Sequence, residues 1–264
     1  SGVQEVMDLT PVAHGVALSG STPVVNFFDG FRTSHEMKKI EVWDYEDLKD
    51  FVDEEAISKF RKRSLNPNRP RQMGSAQNPD VFFQVREAAN THYLAIPDLV
   101  QEYMNKINEK IGTDYKLFNY YGADDAEHII VAMGSVCQTT KEVVDLLNNS
   151  GQKVGLVNIH LYRPFCKEAF VSAIPSTVKQ ISVLDRTKEP GGVGEPLFLD
   201  VVAALRNTPF QNIPIFSGRY GLSSKNTTPG QILAVYENKT KSEFTIGIVD
   251  DVTNLSLEYT DDID

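Results

Sequence analysis

Short, mostly apolar runs recur between amphipathic segments in the second half of this chain, and that alternation restricts its fold more than any other feature. The runs are residues 128–133, 154–159, 180–184, 213–216 and 244–248. Residues 139–149, 167–173 and 195–205 separate the earlier ones and repeat their apolar side chains at helical spacing. A run without polar alternation belongs to a strand covered on both faces, the condition of a parallel sheet with helices on either side. The pattern predicts an α/β fold with its stable core over residues 115–242: a mainly parallel five-stranded sheet covered by helices.

The turns at the ends of these runs are the candidate binding positions, because a strand's carboxyl end feeding a helix exposes free backbone N–H groups. Residues 182–195 read SVLDRTKEPGGVGE, with Gly191, Gly192 and Gly194 just ahead of an amphipathic run. The third glycine of a dinucleotide fingerprint is missing and Pro190 stiffens the approach, so a tight turn needing glycine is the favoured reading. After the first run come Gly134 and Ser135, with Thr139 or Thr140 as a helix cap. Arg163, in LYRPF, can hold an anion bidentately or pair with an acidic residue across a domain contact; pairing is the expectation. Residues 217–225, SGRYGLSSK, offer cations and hydroxyls but lack phosphate-loop spacing.

The first part of the chain is less regular. Residues 3–20 carry a helical apolar stripe that Pro11 should kink or break. Residues 24–28, VVNFF, read as a short strand ending at Asp29-Gly30. One helix and one strand bury too little to stand alone, so this is expected to be an incomplete α/β segment, the tail of a larger domain. Residues 29–36 are the richest in reactive groups. Arg32 can clamp a carboxylate, and Thr33, Ser34 and His35 offer donors, which makes these four the candidate substrate-binding residues. No base aligns on Ser34, so a Ser/His/Asp triad is not expected. Residues 44–90 are polar and irregular, with a short helix over 54–63 broken by the prolines at 67 and 70. A long amphipathic helix over 93–111 should stop at Gly112. The acidic residues 258–264 belong to no element, so the chain is expected to stop early there, and Ser1-Gly2 resembles an expression remnant.

Composition removes several function classes. A net charge of −10 argues against a nucleic-acid partner. The basic triplets around Arg61-Lys62-Arg63 and Arg69-Pro70-Arg71 read as solvated loop. Cys137 and Cys166 have no CxxC spacing and so build no cluster or zinc site by themselves. The five histidines show no paired ligand spacing. No apolar run approaches a membrane span, and a cytoplasmic location is expected.

Seven blocks, in order, carry a resemblance: FFDGFRTSHE (27–36), NPDVFFQVREAAN (78–90), YYGADDAEHIIVAMGS (120–135), LYRPF (161–165), VLDRTKEPGGVGEP (183–196), GRYGLSSK (218–225) and GIVDDVTNLSL (247–257). Through them the chain resembles the pyruvate:ferredoxin (flavodoxin) oxidoreductases over almost its whole length. The resemblance implies part of a thiamine diphosphate enzyme that converts pyruvate and coenzyme A to acetyl-CoA and CO2. In that family [4Fe–4S] clusters pass the electrons to ferredoxin or flavodoxin. It implies the tail of the pyrimidine-binding domain over 1–43 and a linker with a long helix over 44–114. A transketolase C-terminal-like domain over 115–242 and the start of another domain over 243–264 follow. Thiamine diphosphate, Mg2+ and the clusters would be held by residues outside this stretch, which has no GDG…N motif and no catalytic residue, so the isolated chain is expected to be inactive. The whole enzyme is expected to be a homodimer. Ferredoxin-, flavodoxin- and NADP-linked versions share this region. The alternative is a non-catalytic binding or interaction module with the same transketolase C-terminal-like fold.

Overall fold

The computed structural model describes residues 2–72 and 74–261. It divides into two compact units, one made of Gln4–Asn26 and Ile40–Lys116, the other of the residues up to Val3, Phe27–Lys39 and the chain from Leu117 onward.

The first unit is helical: α1 (Val3–Ser19), α2 (Tyr45–Lys49), α3 (Glu54–Arg63), α4 (Pro79–Ala88) and α5 (Asn90–Ile111). Helix α1 runs through Pro11 without a break. The missing N–H costs one bond, and burial of Leu9, Val12 and Val16 holds the helix together around it. Asp53 caps α3 by accepting the Ala56 N–H at 2.8 Å. Gly112, at φ 70°, ends α5 in the left-handed conformation. Helix α4 replaces the expected irregular chain. Pro79 sits in its first turn, but Val81, Phe82, Phe83 and Val85 are all exposed and form no buried stripe for a periodicity reading to find.

A buried carboxylate organises this unit. Asp8 accepts from Gln4 Nε2 at 2.9 Å, Trp43 Nε1 at 3.0 Å and the Tyr115 hydroxyl at 2.8 Å. Burial, and then the hydrogen bond to Asp8, drive the Tyr115 pKa far above its ordinary value. The expected strand over 24–28 is not formed. Those residues have no regular structure and are exposed, and no described residue supplies a ladder to pair them. An apolar run becomes a strand only when a partner takes its N–H and C=O groups.

The second unit is the predicted α/β fold. Its elements are β1 (Phe118–Gly122), β2 (His128–Ala132), α6 (Val136–Asn149), β3 (Val154–Ile159), α7 (Lys167–Ser172), β4 (Gln180–Asp185), α8 (Pro196–Leu205), β5 (Ile215–Arg219), α9 (Pro229–Glu237) and β6 (Glu243–Thr245). The sheet order is β1-β3-β2-β4-β5-β6, parallel except that β1 runs antiparallel to β3 with Phe118 opposite Ile159. The sheet thus has six strands where five were expected. Strand β1 mixes Asn and Tyr with Phe and lies on an edge, so it lacks the continuous apolar run that marks a doubly covered strand. Ile129, Ile130, Val131, Leu156, Val157, Ile181 and Val183 have no accessible surface, as burial from both faces requires.

Smaller differences follow from local chemistry. Helix α6 starts at Val136, so Thr139 and Thr140 lie inside it, and the Thr140 hydroxyl donates to the Val136 carbonyl rather than capping. Residues 213–214 lead into β5 instead of belonging to it. Residues 258–260 have no regular element; residues 262–264, like Ser1, lie outside the described residues. Among the described residues, no helix is long and apolar enough to cross a membrane.

Candidate functional site

Strand β2 sits between β3 and β4, so the chain leaves β2 for one neighbour and later returns to the other side of it. The loops after β2 and β4 therefore open a crevice at the carboxyl edge, where open α/β sheets bind ligands. Here the crevice holds a side chain of the protein itself. Asp29 accepts the Ser135 N–H at 2.8 Å and pairs with Arg186 at 2.9 Å. Arg186 also donates from Nε to the Gly221 carbonyl after β5, at 2.9 Å. Gly134, at φ 89°, brings the backbone so close that a Cβ there would stand 3.2 Å from both Asp29 oxygens. Burial pushes the Asp29 carboxyl up, but bonds from the Ser135 hydroxyl and N–H and the charge of Arg186 outweigh it and hold it below its ordinary range.

The glycine-rich turn is closed in the same manner. Asp185, at the end of β4, accepts the N–H groups of Leu197 and Phe198 at 2.9 and 3.0 Å, taking up the N-terminus of α8. Burial dominates its titration and pushes its pKa up to about 6, against the lowering effect of those two N–H groups. Glu195, 2% exposed, accepts the Glu189 N–H at 2.7 Å and faces Arg219 and Lys188 at 3.4 and 3.5 Å. The turn, for which sequence favoured a tight glycine turn over an anion site, is thus filled by the chain's own carboxylates. Sequence reasoning missed Asp185, Arg186 and Glu195 as partners, although the charged residues flanking the glycines were the available signal.

The four candidate residues lie beside this clasp. Thr33–His35 form one 3-10 turn, entered through Phe31 at φ 51°. The Ser34 hydroxyl donates to the Phe31 carbonyl at 2.8 Å, and His35 Nδ1 turns to the same carbonyl. The Thr33 hydroxyl reaches that of Ser135 at 3.5 Å. Arg32 is exposed, and among the described residues no acid pairs with its guanidinium. Arg163 pairs at 2.6 Å with Asp200 of α8, an acid of its own unit rather than one across a domain contact.

Residues 1–105 match the family described as Pyruvate flavodoxin/ferredoxin oxidoreductase, thiamine diP-bdg, and residues 126–232 match Pyruvate:ferredoxin oxidoreductase core domain II. A pyruvate-flavodoxin oxidoreductase of Enterobacter agglomerans is 52% identical over 100% of the chain. The chain belongs to the pyruvate:ferredoxin/flavodoxin oxidoreductase family. A second relative, the pyruvate:ferredoxin oxidoreductase of Moorella thermoacetica, is 51% identical, again over 100% of the chain. The chain spans 23% of the length of each of these two proteins. It is also 48% identical over 97% of its length to a pyruvate dehydrogenase [NADP(+)] of Cryptosporidium parvum, covering 14% of that protein. Relatives named for three different electron acceptors therefore share this stretch.

The family description names thiamine diphosphate, and the residues present can be tested for it. The two helix starts at the sheet's carboxyl edge already hold Asp29 and Asp185, and a diphosphate placed there would meet buried like charge. Among the described residues, no group of three or more His, Cys, Asp or Glu could hold a metal ion. These residues do not fit the diphosphate–Mg2+ end of that cofactor.

Proposed function

We propose that this chain works as part of a pyruvate:ferredoxin/flavodoxin oxidoreductase. The reaction joins the acetyl group of pyruvate to the coenzyme A thiol, releasing CO2, a proton and two electrons. The observation that carries this reading is about 50% identity across the whole chain to proteins named for that activity. Thiamine diphosphate, Mg2+ and [4Fe–4S] clusters would be held by other domains of a cytoplasmic homodimer, with ferredoxin or flavodoxin as the electron partner. On this reading residues 1–43 close the pyrimidine-binding domain and 44–114 link it to the transketolase C-terminal-like domain of 115–242. Residues 243–264 lead onward.

Within that enzyme, Arg32 receives the pyruvate carboxylate and Thr33, Ser34 and His35 border it. A guanidinium binds a carboxylate through two charge-assisted bonds, and the exposed, acid-free Arg32 is available for one. The enzyme containing this chain should reduce viologen when given pyruvate, coenzyme A, thiamine diphosphate and Mg2+, and residues 1–264 alone should not. Reduction by the isolated chain, or none by the whole enzyme, overturns the reading. Arg32→Ala should raise KM for pyruvate about tenfold or more, the value of one lost charge-assisted bond, with the melting temperature little changed.

A further inference from the structure

We infer that Asp29 and Arg186 are positioning residues: their ion pair anchors the 30–36 loop to the carboxyl edge of the sheet and so sets where Arg32 is presented. The inference rests on the proposed role of Arg32. Its basis is that one carboxylate joins segments far apart in the chain. Asp29 takes the Ser135 N–H behind β2, 106 positions away, and the Arg186 guanidinium behind β4. Arg186 in turn grips the Gly221 carbonyl behind β5. Three strand ends thus converge on a side chain three positions before Arg32.

The loop has few other anchors. The Ser224 hydroxyl reaches the Gly30 carbonyl at 3.4 Å, and Thr33 meets Ser135 at 3.5 Å, both long for hydrogen bonds between these groups. The Ser34 and His35 bonds to Phe31 shape the turn internally without fastening it to the sheet. Asp29 is only 14% exposed in its side chain and Arg186 22%, so the pair is shielded from solvent more than an ordinary surface bridge. Gly134, which has no Cβ, lets the carboxylate sit close against the loop after β2, where a Cβ would stand 3.2 Å from both of its oxygens. A rigid base with an exposed guanidinium near its end is the arrangement that holds a ligand-binding group in fixed register.

The test uses the whole enzyme. Asp29→Asn keeps the shape and an acceptor for the Ser135 N–H but removes the charge that Arg186 holds. It should lower kcat/KM for pyruvate about ten- to a hundredfold, the scale of a misplaced binding group, mainly through KM. The KM for coenzyme A should stay within twofold or so of the original, because a displaced Arg32 concerns only the carboxylate. Arg186→Gln should reproduce the effect should Asp29→Asn fold poorly, and Arg186→Lys should recover part of it. A folded Asp29→Asn or Arg186→Gln enzyme with unchanged pyruvate KM overturns the positioning role, even where the melting temperature falls. If Arg32→Ala itself leaves the pyruvate KM unchanged, the role assigned to Arg32 is what fails. A loss in Arg32→Ala without one in Asp29→Asn or Arg186→Gln overturns the clasp alone.

Discussion

The sheet unit and the helical unit both bury apolar side chains, but they differ in how completely and in what else orders them. In the sheet unit, Ile129, Val131, Val157 and Val183 lose all accessible surface between helices that follow within a few dozen residues in sequence. In the helical unit, α4 exposes Val81, Phe82, Phe83 and Val85, and its order depends more on single polar contacts between distant segments. Tyr115 reaches Asp8 from 107 positions away, and Trp43 reaches it from 35. The carboxylates that organise the two units differ in kind as well. Asp29 has a cation beside it, whereas Asp8 is held by three neutral donors. Continuous apolar packing gives a sheet that local sequence announces; in the helical unit sequence announces α1, α3 and α5 but not the polar contacts between them.

The strongest way to break this comparison is to cut matching aromatics. Phe170 has no accessible surface and packs edge-on against Phe118 and Phe165 at 5.4 and 5.3 Å. Phe170→Ala should cost about 3–5 kcal/mol, while Phe83→Ala in α4 should stay within about 0.5 kcal/mol. Denaturant midpoints check both, and equal losses would show that α4 is packed after all.

Protonation sharpens the contrast within the sheet unit. Asp185 has a folded pKa near 6 against an ordinary 3.8, so folding favours its protonated form. Its contribution should therefore fall as pH rises from about 4 to 6 and remain unfavourable above, by up to about 3 kcal/mol. Asp29, with its pKa lowered, acts in reverse: its contribution is full above the ordinary 3.8 and is lost as pH falls below it. His128 also titrates across the Asp185 window with opposite sign, because burial takes its pKa down to about 3. The difference between wild-type and Asp185→Asn stability at each pH isolates the Asp185 slope. A flat difference from pH 4 to 7 would refute it.

A smaller loss than that of Phe170→Ala is expected at the buried carboxylate of the helical unit. Tyr115→Phe removes one of the three donors to buried Asp8 and should cost about 1–3 kcal/mol. If the urea transition does not move, the Asp8 cluster is not what joins α1 to residues near 115.

Much of the sheet was legible because its signal is local. A continuous apolar run between amphipathic segments describes β2, β3 and β4 wherever the rest of the chain lies. The edge strand β1 escaped because Asn and Tyr interrupt its apolar run and its residues after Phe118 are only partly buried, and α4 escaped because its apolar residues are exposed. Arg163 was correctly read as pairing with an acid, but which acid depended on how α8 packs. The run at 24–28 has strand composition and no strand, since pairing is decided by what lies beside it.

The candidate site divides in the same way. Sequence by itself determined the family through seven ordered blocks, the parallel sheet through its apolar runs, and the reactive character of residues 29–36. Only the tertiary structure decided that Asp29 is bound to Ser135 and Arg186, that Asp185 fills the start of α8, and that Arg32 remains exposed. Those contacts join residues up to 157 positions apart, from Asp29 to Arg186. A carboxylate can pair with any donor within reach. Which donor comes within 3 Å is set by the order of the strands, and no single segment of the chain encodes that order.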